Sequence, residues 1–374
     1  MLRLLENRQV RGWLIQGVVV ALIGFAALSA AGNLRGHAAS SGGATGFDFL
    51  EQPAGFDIAM SLVPYAAGDT YARVLIVSAL NTLLVSALGI IVATFIGLIA
   101  GVLRLSAHPI MSRLAALYVE TARNIPLLLQ IFLFYGLVLA LPRVNESVEF
   151  AGIVLNNRGL YLPRLIVNGA AENVLFIAAG GFGFSILACV IARARLGVLG
   201  LLAAAIVAGI VAISNGAIWQ WELPHREAFN FAGGMRVLPS LVALWAALSV
   251  YTGAFISEIV RAGINSVPLG QKEAGEALGL RAMTVLSRII MPQALRVIVP
   301  PLTNQYLNLL KNSSLAVAIG YPDIVQVFLG TALNQTGRAI EIILITMGFY
   351  LAISLALAVL MNIYNRVVAL RGVR

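Results

Sequence analysis

One apolar run, residues 74–102, contains no charged side chain and is longer than a membrane crossing requires. The hydrocarbon core of a bilayer is about 30 Å thick, which a helix of about 20 residues spans. With this run, eight apolar stretches of comparable length follow one another, at 13–31, 74–102, 125–141, 174–192, 197–214, 237–260, 297–320 and 339–363. Lipid offers no hydrogen bonds to an open backbone, so each stretch is predicted to be a helix. The sequence therefore predicts an all-α, polytopic integral membrane protein with about eight transmembrane helices.

The composition supports a lipid-facing bundle and argues against other classes of protein. Hydrophobic residues make up 60% of the chain and charged residues only 11%, whereas soluble domains average about a quarter charged residues. The net charge of +9 does not indicate a nucleic-acid partner, because the basic residues stand between the apolar runs. The single cysteine, Cys189, allows no intrachain disulfide, and the three histidines are scattered, so no metal site is expected.

The distribution of Arg and Lys predicts the orientation of the spans. With the N-terminus in the cytoplasm, sixteen of the 25 basic residues fall in inside segments and eight in outside segments. Positive charge accumulates in cytoplasmic loops, so both termini are predicted to be cytoplasmic. The first stretch, 13–31, has an alternative interpretation as a signal peptide, because arginines precede it and Ala27-Leu28-Ser29 resembles a cleavage site.

The apolar runs and the loops divide the chain into four parts. Residues 1–72 hold one span and an outside loop that contains a Gly/Ser-rich stretch. Residues 73–142 hold two spans of a core, and residues 143–236 insert outside loops and a further span pair. Residues 237–374 complete the core with three spans and contain the longest inside loop, 261–296.

This inside loop has the pattern of two short helices joined by a glycine. Pro268 is expected to end the preceding span, and residues 271–278 favour a helix because they are rich in Ala, Glu and Leu. Gly279 stands where a helix commonly closes with a left-handed residue. A second helix is expected over 281–290, with Pro292 at its end. The small residues of the first helix would let a partner surface approach closely; they are Ala274, Gly275 and Ala277.

The loop resembles the "EAA" loop of ABC importer permeases, in which Glu-Ala-Ala is followed at fixed distances by Gly, Ile and Leu-Pro. The matching positions are Glu273, Ala274, Gly279, Ile289 and Pro292, while Gly275 replaces the third residue and Met291 replaces Leu. The resemblance implies a type I ABC importer permease fold with a cytoplasmic coupling helix that docks on an ATPase. The residues expected to make this coupling are Glu273, Ala274, Gly275, Ala277, Gly279 and Pro292.

Three further stretches narrow the resemblance to one kind of permease. Asn81-Thr-Leu-Leu-Val-Ser-Ala-Leu-Gly89 and Glu120-Thr-Ala-Arg123-Asn-Ile-Pro126-Leu-Leu-Leu-Gln130 resemble the opening of the histidine/glutamine-type polar amino acid permeases. Asn312-Ser-Ser-Leu315 resembles their motif after the coupling loop. The extra first span and the insertion at 143–236 resemble the long, eight-span general L-amino acid permeases. Import of polar L-amino acids across the inner membrane is therefore the function that the resemblance implies.

The resemblance also implies partners, because the chain lacks the means to hydrolyse ATP. It contains no Gly-x-x-x-x-Gly-Lys-Ser/Thr sequence and so cannot bind ATP phosphates through a P-loop. No cofactor is expected on this chain, and ATP and Mg belong to a separate ATPase. In the expected complex this chain forms a heterodimer with a second related permease in the lipid bilayer. The complex also contains two ATPase subunits and a periplasmic amino acid-binding protein.

The seventh span carries aligned polar side chains. Asn304, Asn308, Lys311 and Asn312 recur at helical spacing and share one face. A lysine at the bilayer centre costs about 2.5–3.5 kcal/mol, so this face is expected to line a wet substrate path. The predicted path residues are Asn308, Lys311, Asn312, Ser313 and Ser314. The alternative is hydrogen bonding between helices that holds the bundle together.

Two other classes of membrane protein match the sequence less well. A proton- or sodium-driven transporter needs acids near the midplane and inverted repeats, but Glu258 and Glu341 lie near span ends and no repeat is evident. A membrane-embedded enzyme needs paired His or Asp motifs, which the spans lack.

We expect Glu258 to pair with Arg261 and Glu120 to pair with Arg123, since each pair is three residues apart on a helix.

Overall fold

The computed structural model describes residues 46–168, 218–227 and 230–369, and the chain divides into two compact units. In the first unit, Met1–Gln52, the described residues contain one short 3-10 helix, Asp48–Glu51. The second unit, which begins at Pro53, contains the other helices and strands of the described residues.

The second unit is built mainly of helices. Its α-helices are α1 Tyr71–Leu103, α2 Pro109–Asn124, α3 Leu127–Leu139, α4 Pro239–Asn265, α5 Leu269–Ala277, α6 Ala282–Val285, α7 Met291–Asn312, α8 Leu333–Thr336 and α9 Ala339–Ala369. A π-helical turn, Leu286–Ile290, joins α6 to α7, a 3-10 stretch, Ser313–Ile319, follows α7, and a π-helical stretch, Val325–Ala332, precedes α8. Among the described residues, four helical stretches are long and apolar enough to cross a membrane, or five if α2 and α3 form one span.

Five of the eight predicted spans fall on described residues, and each coincides with a helix. The stretches 74–102, 125–141, 237–260, 297–320 and 339–363 correspond to α1, α3, α4, the α7 region and α9. The helical class of the protein is thereby confirmed. The predicted spans at 13–31, 174–192 and 197–214 lie outside the described residues, so the count of eight remains a prediction.

The third predicted span is the second half of a sharply bent helix pair. The axes of α2 and α3 differ by 109°, and the backbone at Ile125 is extended, as expected before Pro126. The end of α2 leaves carbonyls without helical partners. The buried Gln130 side chain satisfies two of them, because its Nε2 donates to the carbonyls of Ala122 at 2.7 Å and Ile125 at 2.9 Å. The hydrogen bonds of the Gln130 side chain therefore stabilise the bend.

Helices α1 and α4 make the most extensive contact in the structure. Glycines bring the two backbones together: a Cβ added at Gly101 would lie 2.7 Å from Val260 Cβ, and one at Gly253 would lie 2.9 Å from Ile96 Cγ2. Small residues at helix contacts allow the close van der Waals packing that drives association in lipid. Helices α3 and α7 pack on α4 as well, so α4 lies at the centre of the bundle.

The part of 143–236 that is described contains strands, which the sequence analysis treated as loops. The strands are β1 Val148–Phe150, β2 Ile153–Asn156, β3 Gly159–Leu162, β4 Arg164–Asn168, β5 Ile218–Glu222, β6 His225–Arg226, β7 Phe231–Ala232 and β8 Met235–Val237. An antiparallel sheet has the order β1-β2-β3-β8, and β4 pairs with β5 and β6 with β7. Val144, Val154, Tyr161 and Phe231 form a small separate core there.

Candidate functional site

The predicted coupling helix is α5, which follows α4 after only three residues. Its end has the expected glycine cap: Gly279 has φ +71°, its N–H donates to Glu276 O at 2.9 Å, and Leu280 N donates to Gly275 O at 3.2 Å. These two bonds pair carbonyls that the helix end would otherwise leave open. The prediction of a short helix closed by Gly279 is confirmed, with the helix starting two residues earlier than expected.

Helix α5 stands out from the bundle with nearly all of its side chains in solvent. Glu273, Ala274 and Ala277 are exposed. Two large apolar side chains next to them are exposed as well, with Leu278 at 77% and Met283 at 72%. On the side toward α1, a cavity of about 660 Å³ separates the loop from the membrane helices. The small and apolar side chains of the loop are therefore exposed on its surface, and no other part of the described chain covers them.

Gly275 faces the chain itself, which corrects the expectation that it would receive a partner surface. It is the buried residue of α5. A Cβ at this position would lie 2.9 Å from Val285 Cγ2 and 3.2 Å from Ile289 Cδ1. These distances are shorter than ordinary van der Waals contacts. The close approach of Val285 to the backbone therefore explains why the chain has glycine at this position. Ala274 and Ala277 remain on the open side.

The prediction that Pro292 ends the second helix of the loop is wrong. The helix continues from α6 through the π-helical turn Leu286–Ile290 into α7. A proline inside a helix has no N–H to donate and its ring crowds the preceding turn. A π-helical turn just before Pro292 widens the helix there and relieves this crowding. Pro292 thus joins the coupling loop to the seventh predicted span as one helix.

The polar residues of α7 are exposed along one face. Asn304, Asn308 and Lys311 are exposed and Asn312 is half-buried. Within the described part of the chain, no carboxylate oxygen lies within 4.0 Å of Lys311 Nζ. Tyr306 points toward α1 instead, with its hydroxyl 2.9 Å from Thr94 Oγ1. The face with Asn308 and Lys311 is therefore open in the isolated chain.

The two serines after α7 are placed differently from the other predicted path residues. The Ser313 side chain is fully buried, and its hydroxyl donates to Leu310 O at 2.7 Å. The Ser314 hydroxyl donates to Lys311 O at the same distance. Both hydroxyls satisfy carbonyls in the last turn of α7. The structure brings together Asn308 and Lys311, but it does not bring Ser313 to the same face.

A buried polar connection that the sequence analysis did not assign ties α1 to the segment after α7. Asn81 is fully buried, and its Nδ2 donates to Met60 O at 2.8 Å and to Pro322 O at 2.9 Å. The Tyr321 hydroxyl donates to Asn81 O at 2.8 Å, and Ile324 N donates to Thr82 Oγ1 at 3.0 Å. The sequence carried a signal of this connection, because Asn81 and Thr82 begin the first motif of the sequence analysis. In the structure these two residues hold α1 to the segment after α7, so this part of the motif has a structural explanation.

Three arginines surround Glu258 near the end of α4. Arg261 pairs with it as expected, and Arg104, just after α1, donates to its other oxygen. Arg123 was expected to pair with Glu120, but the structure records it with Glu258, with 3.8 Å between Nη1 and Oε2. Arg123 and Glu258 are distant in the sequence and meet at this cluster.

A bundle of long apolar helices with an exposed helical loop and an open polar helix face fits a membrane transport subunit. Residues 93–371 match the family "Binding-protein-dependent transport system inner membrane component", and the chain belongs to this family. The relatives that align with it along most of its length are transport permease proteins.

Three relatives align along most of this chain. YhdX of Escherichia coli is 46% identical over 97% of this chain and 95% of its own length. The general L-amino acid transport system permease protein AapQ of Rhizobium johnstonii is 43% identical over 94% of this chain and 90% of its own length. The glutamate/glutamine/aspartate/asparagine transport system permease protein BztB of Rhodobacter capsulatus is 43% identical over 87% of this chain and 86% of its own length.

Proposed function

We propose that this chain is the permease subunit of an ATP-driven importer that moves polar L-amino acids into the cell. The exposed helix α5, between two spans of a chain of this family, is the observation that carries the proposal. The transport of L-amino acids by AapQ, and of glutamate, glutamine, aspartate and asparagine by BztB, supports the substrate class.

In this proposal α5 docks on a cytoplasmic ATPase. Leu278 and Met283 are the apolar anchors, since full burial of such a side chain contributes about 1.5–3 kcal/mol. Ala274 and Ala277 let the partner approach the helix backbone. The acids Glu273 and Glu276 are exposed on the same helix, and they would meet basic groups of the ATPase. ATP and Mg would be bound by that partner.

The complete importer would contain a second related permease, two ATPase subunits and a periplasmic amino acid-binding protein. A substrate path enclosed by helices needs a second permease half opposite the open polar face of α7. Both termini of this chain would be cytoplasmic, which places the exposed α5 on the side of the ATPase. The distribution of Arg and Lys supports this orientation.

The substrate path would run along Asn308, Lys311 and Asn312. Lys311 offers a cation to the carboxylate of a zwitterionic amino acid, and each amide offers both donors and acceptors. An uncompensated lysine facing lipid would be costly. The exposure of this face in the isolated chain supports either a wet path or a carboxylate supplied by the second permease.

Purification of the native complex through a tag on this chain tests the proposal. We expect a P-loop ATPase and an unlike permease to co-elute, and we expect a substrate-loaded binding protein to stimulate ATP hydrolysis. Leu278→Asp should remove the ATPase from the complex. Leu223→Asp is the matched control, because it puts the same charge at an exposed leucine on the predicted outside. A transport-competent complex with two copies of this chain and no other permease would refute the heterodimer.

A further inference from the structure

A single carboxylate collects guanidinium groups from three different parts of the bundle. Oε2 of Glu258, on α4, pairs with Arg104 at the end of α1 and lies 3.8 Å from Arg123 Nη1 in the last turn of α2. Oε1 accepts a hydrogen bond from Arg261 Nε at 3.1 Å and another from Arg261 Nη2. The cluster therefore contains one negative charge and three positive charges.

The position of this cluster connects two features described above. Glu258 lies on the last two turns of α4, which lead after three residues into α5. Arg123 lies two residues before Ile125, where the α2–α3 pair bends by 109°. The cluster thus lies between the base of the proposed coupling helix and the bend.

The three arginines are not held equally. Arg104 belongs to the close α1–α4 pair, where glycines fix the two helices against each other, and Arg261 is on α4 itself. Arg123 makes an ion pair beyond hydrogen-bond distance, its guanidinium lies 5.1 Å from the Phe255 ring centroid, and its side chain is 40% exposed. Of the three contacts, the one with Arg123 is the most adjustable.

The remaining contacts between α2 and α4 are small apolar side chains and one hydrogen bond from a tyrosine. Ala122 and Val119 of α2 pack with Ala254 of α4, and the Tyr118 hydroxyl donates to Val250 O at 2.7 Å. Small side chains resist sliding less than interlocked large ones, so the Glu258–Arg123 pair adds to the Tyr118 hydrogen bond in setting the register of these two helices.

We propose that Glu258 is a positioning residue that makes the α2–α3 bend follow the base of the coupling helix. This inference rests on the proposed docking of α5 on an ATPase. When docking displaces the end of α4, Glu258 moves with it and draws the last turn of α2 along through Arg123. Without the carboxylate the three guanidiniums repel one another, and Arg123 keeps only the Phe255 ring, so the bend no longer follows α4.

The test compares Glu258→Gln with two further variants in the complete complex, reconstituted in vesicles with its binding protein. Glu120→Gln is the matched control, because it removes an exposed acid on α2 one turn before Arg123. Glu258→Asp retains the charge. The readouts are the yield of intact complex, ATP hydrolysis and amino acid uptake, from which uptake per ATP hydrolysed follows.

We expect Glu258→Gln to assemble and hydrolyse ATP while uptake per ATP falls about fivefold or more, the lower end of typical coupling free energies. Glu258→Asp should recover most of this loss, and Glu120→Gln should match the wild-type protein. A loss of complex with unchanged uptake per ATP would overturn the inference, because Glu258 would then only stabilise the fold. Unchanged uptake per ATP at normal yield, or an equal loss in Glu120→Gln, would overturn it too. Failure of the proposed function would be seen separately, as a wild-type complex whose ATP hydrolysis ignores the loaded binding protein.

Discussion

Replacement of Gly275 by alanine tests whether the coupling helix is positioned by its contact with the second helix of the loop. The added Cβ would lie 2.9 Å from Val285 Cγ2 and 3.2 Å from Ile289 Cδ1, so α5 or these side chains must shift. Overpacking of this kind costs about 1–3 kcal/mol. Alanine also recovers about 1 kcal/mol of helix propensity over glycine. The difference leaves a net cost of up to about 2 kcal/mol for the original position of α5.

The assay is amino acid uptake per assembled complex. A change of one to two kcal/mol alters an equilibrium by about 5- to 30-fold, so Gly275→Ala should lower uptake by up to that factor. Adding Val285→Ala removes two of the three methyl groups that the new Cβ would meet, including the one at 2.9 Å, and the double variant should recover uptake. Neighbouring substitutions of this type show interaction energies of about 0.5–3 kcal/mol.

Gly270→Ala is the control, since it lies in the same helix and a Cβ there meets nothing within 4 Å. It should leave uptake unchanged or slightly improved. Equal uptake in the Gly275→Ala and Gly270→Ala variants would refute the reasoning. A double variant that transports less than Gly275→Ala alone would refute it as well.

Three other substitutions give outcomes that the structure specifies. Gly97→Ala would force α1 and α4 apart at Ile256 and should lower thermal stability in detergent by about 1–3 kcal/mol, whereas Gly136→Ala, with open space around the Cβ, should not. Gly279 has φ +71°, so Gly279→Asn should keep more uptake than Gly279→Val, because Asn tolerates a left-handed backbone; equal uptake would contradict a conformational role. Lys311→Met should leave assembly intact and change uptake of glutamate more than that of glutamine or a basic amino acid, and unchanged uptake of all three at normal yield would remove Lys311 from the path.

The features that sequence predicted well depend on local chemistry. An uncharged apolar run such as 74–102 has one stable form in lipid, a helix, because every backbone group must find its partner within the segment. Gly279 was placed correctly for a similar reason, since a left-handed helix cap depends on one residue and its immediate neighbours. The short strands β1 to β8 gave no such signal, because two to five residues are too few to show an alternating pattern.

The features that sequence missed depend on contacts between distant segments. Gly275 looked like a site for a partner, but the position of Val285 on the next helix decides which way it faces. Arg123 and Glu120 have the spacing of a helical ion pair, yet Glu258 on α4 supplies the recorded partner. Pro292 is a strong local breaker that the π-helical turn before it accommodates. Neighbours in space, which the sequence order does not give, settled the cases of Gly275 and Arg123, whereas Pro292 depends on the turn that directly precedes it.

A movement of the coupling loop can reach the bundle by two routes, one through α7 and one through the α2–α3 bend. The two routes differ in how the loop is joined to each element. The second half of the loop continues through the π-helical turn into α7 without a break. At 1.5 Å per residue, about 40 Å of one helix therefore connects Met283 to Lys311. A displacement imposed on Met283 by a docked partner would reach the polar face of α7 along this continuous helix. The α2–α3 bend has no such covalent connection to the loop and depends on side chains, among which the pair of Glu258 with Arg123 is the charged one. Neutralising Glu258 should therefore impair the movement of the bend while the α7 route stays intact, which is why a partial loss of uptake per ATP is the expected result.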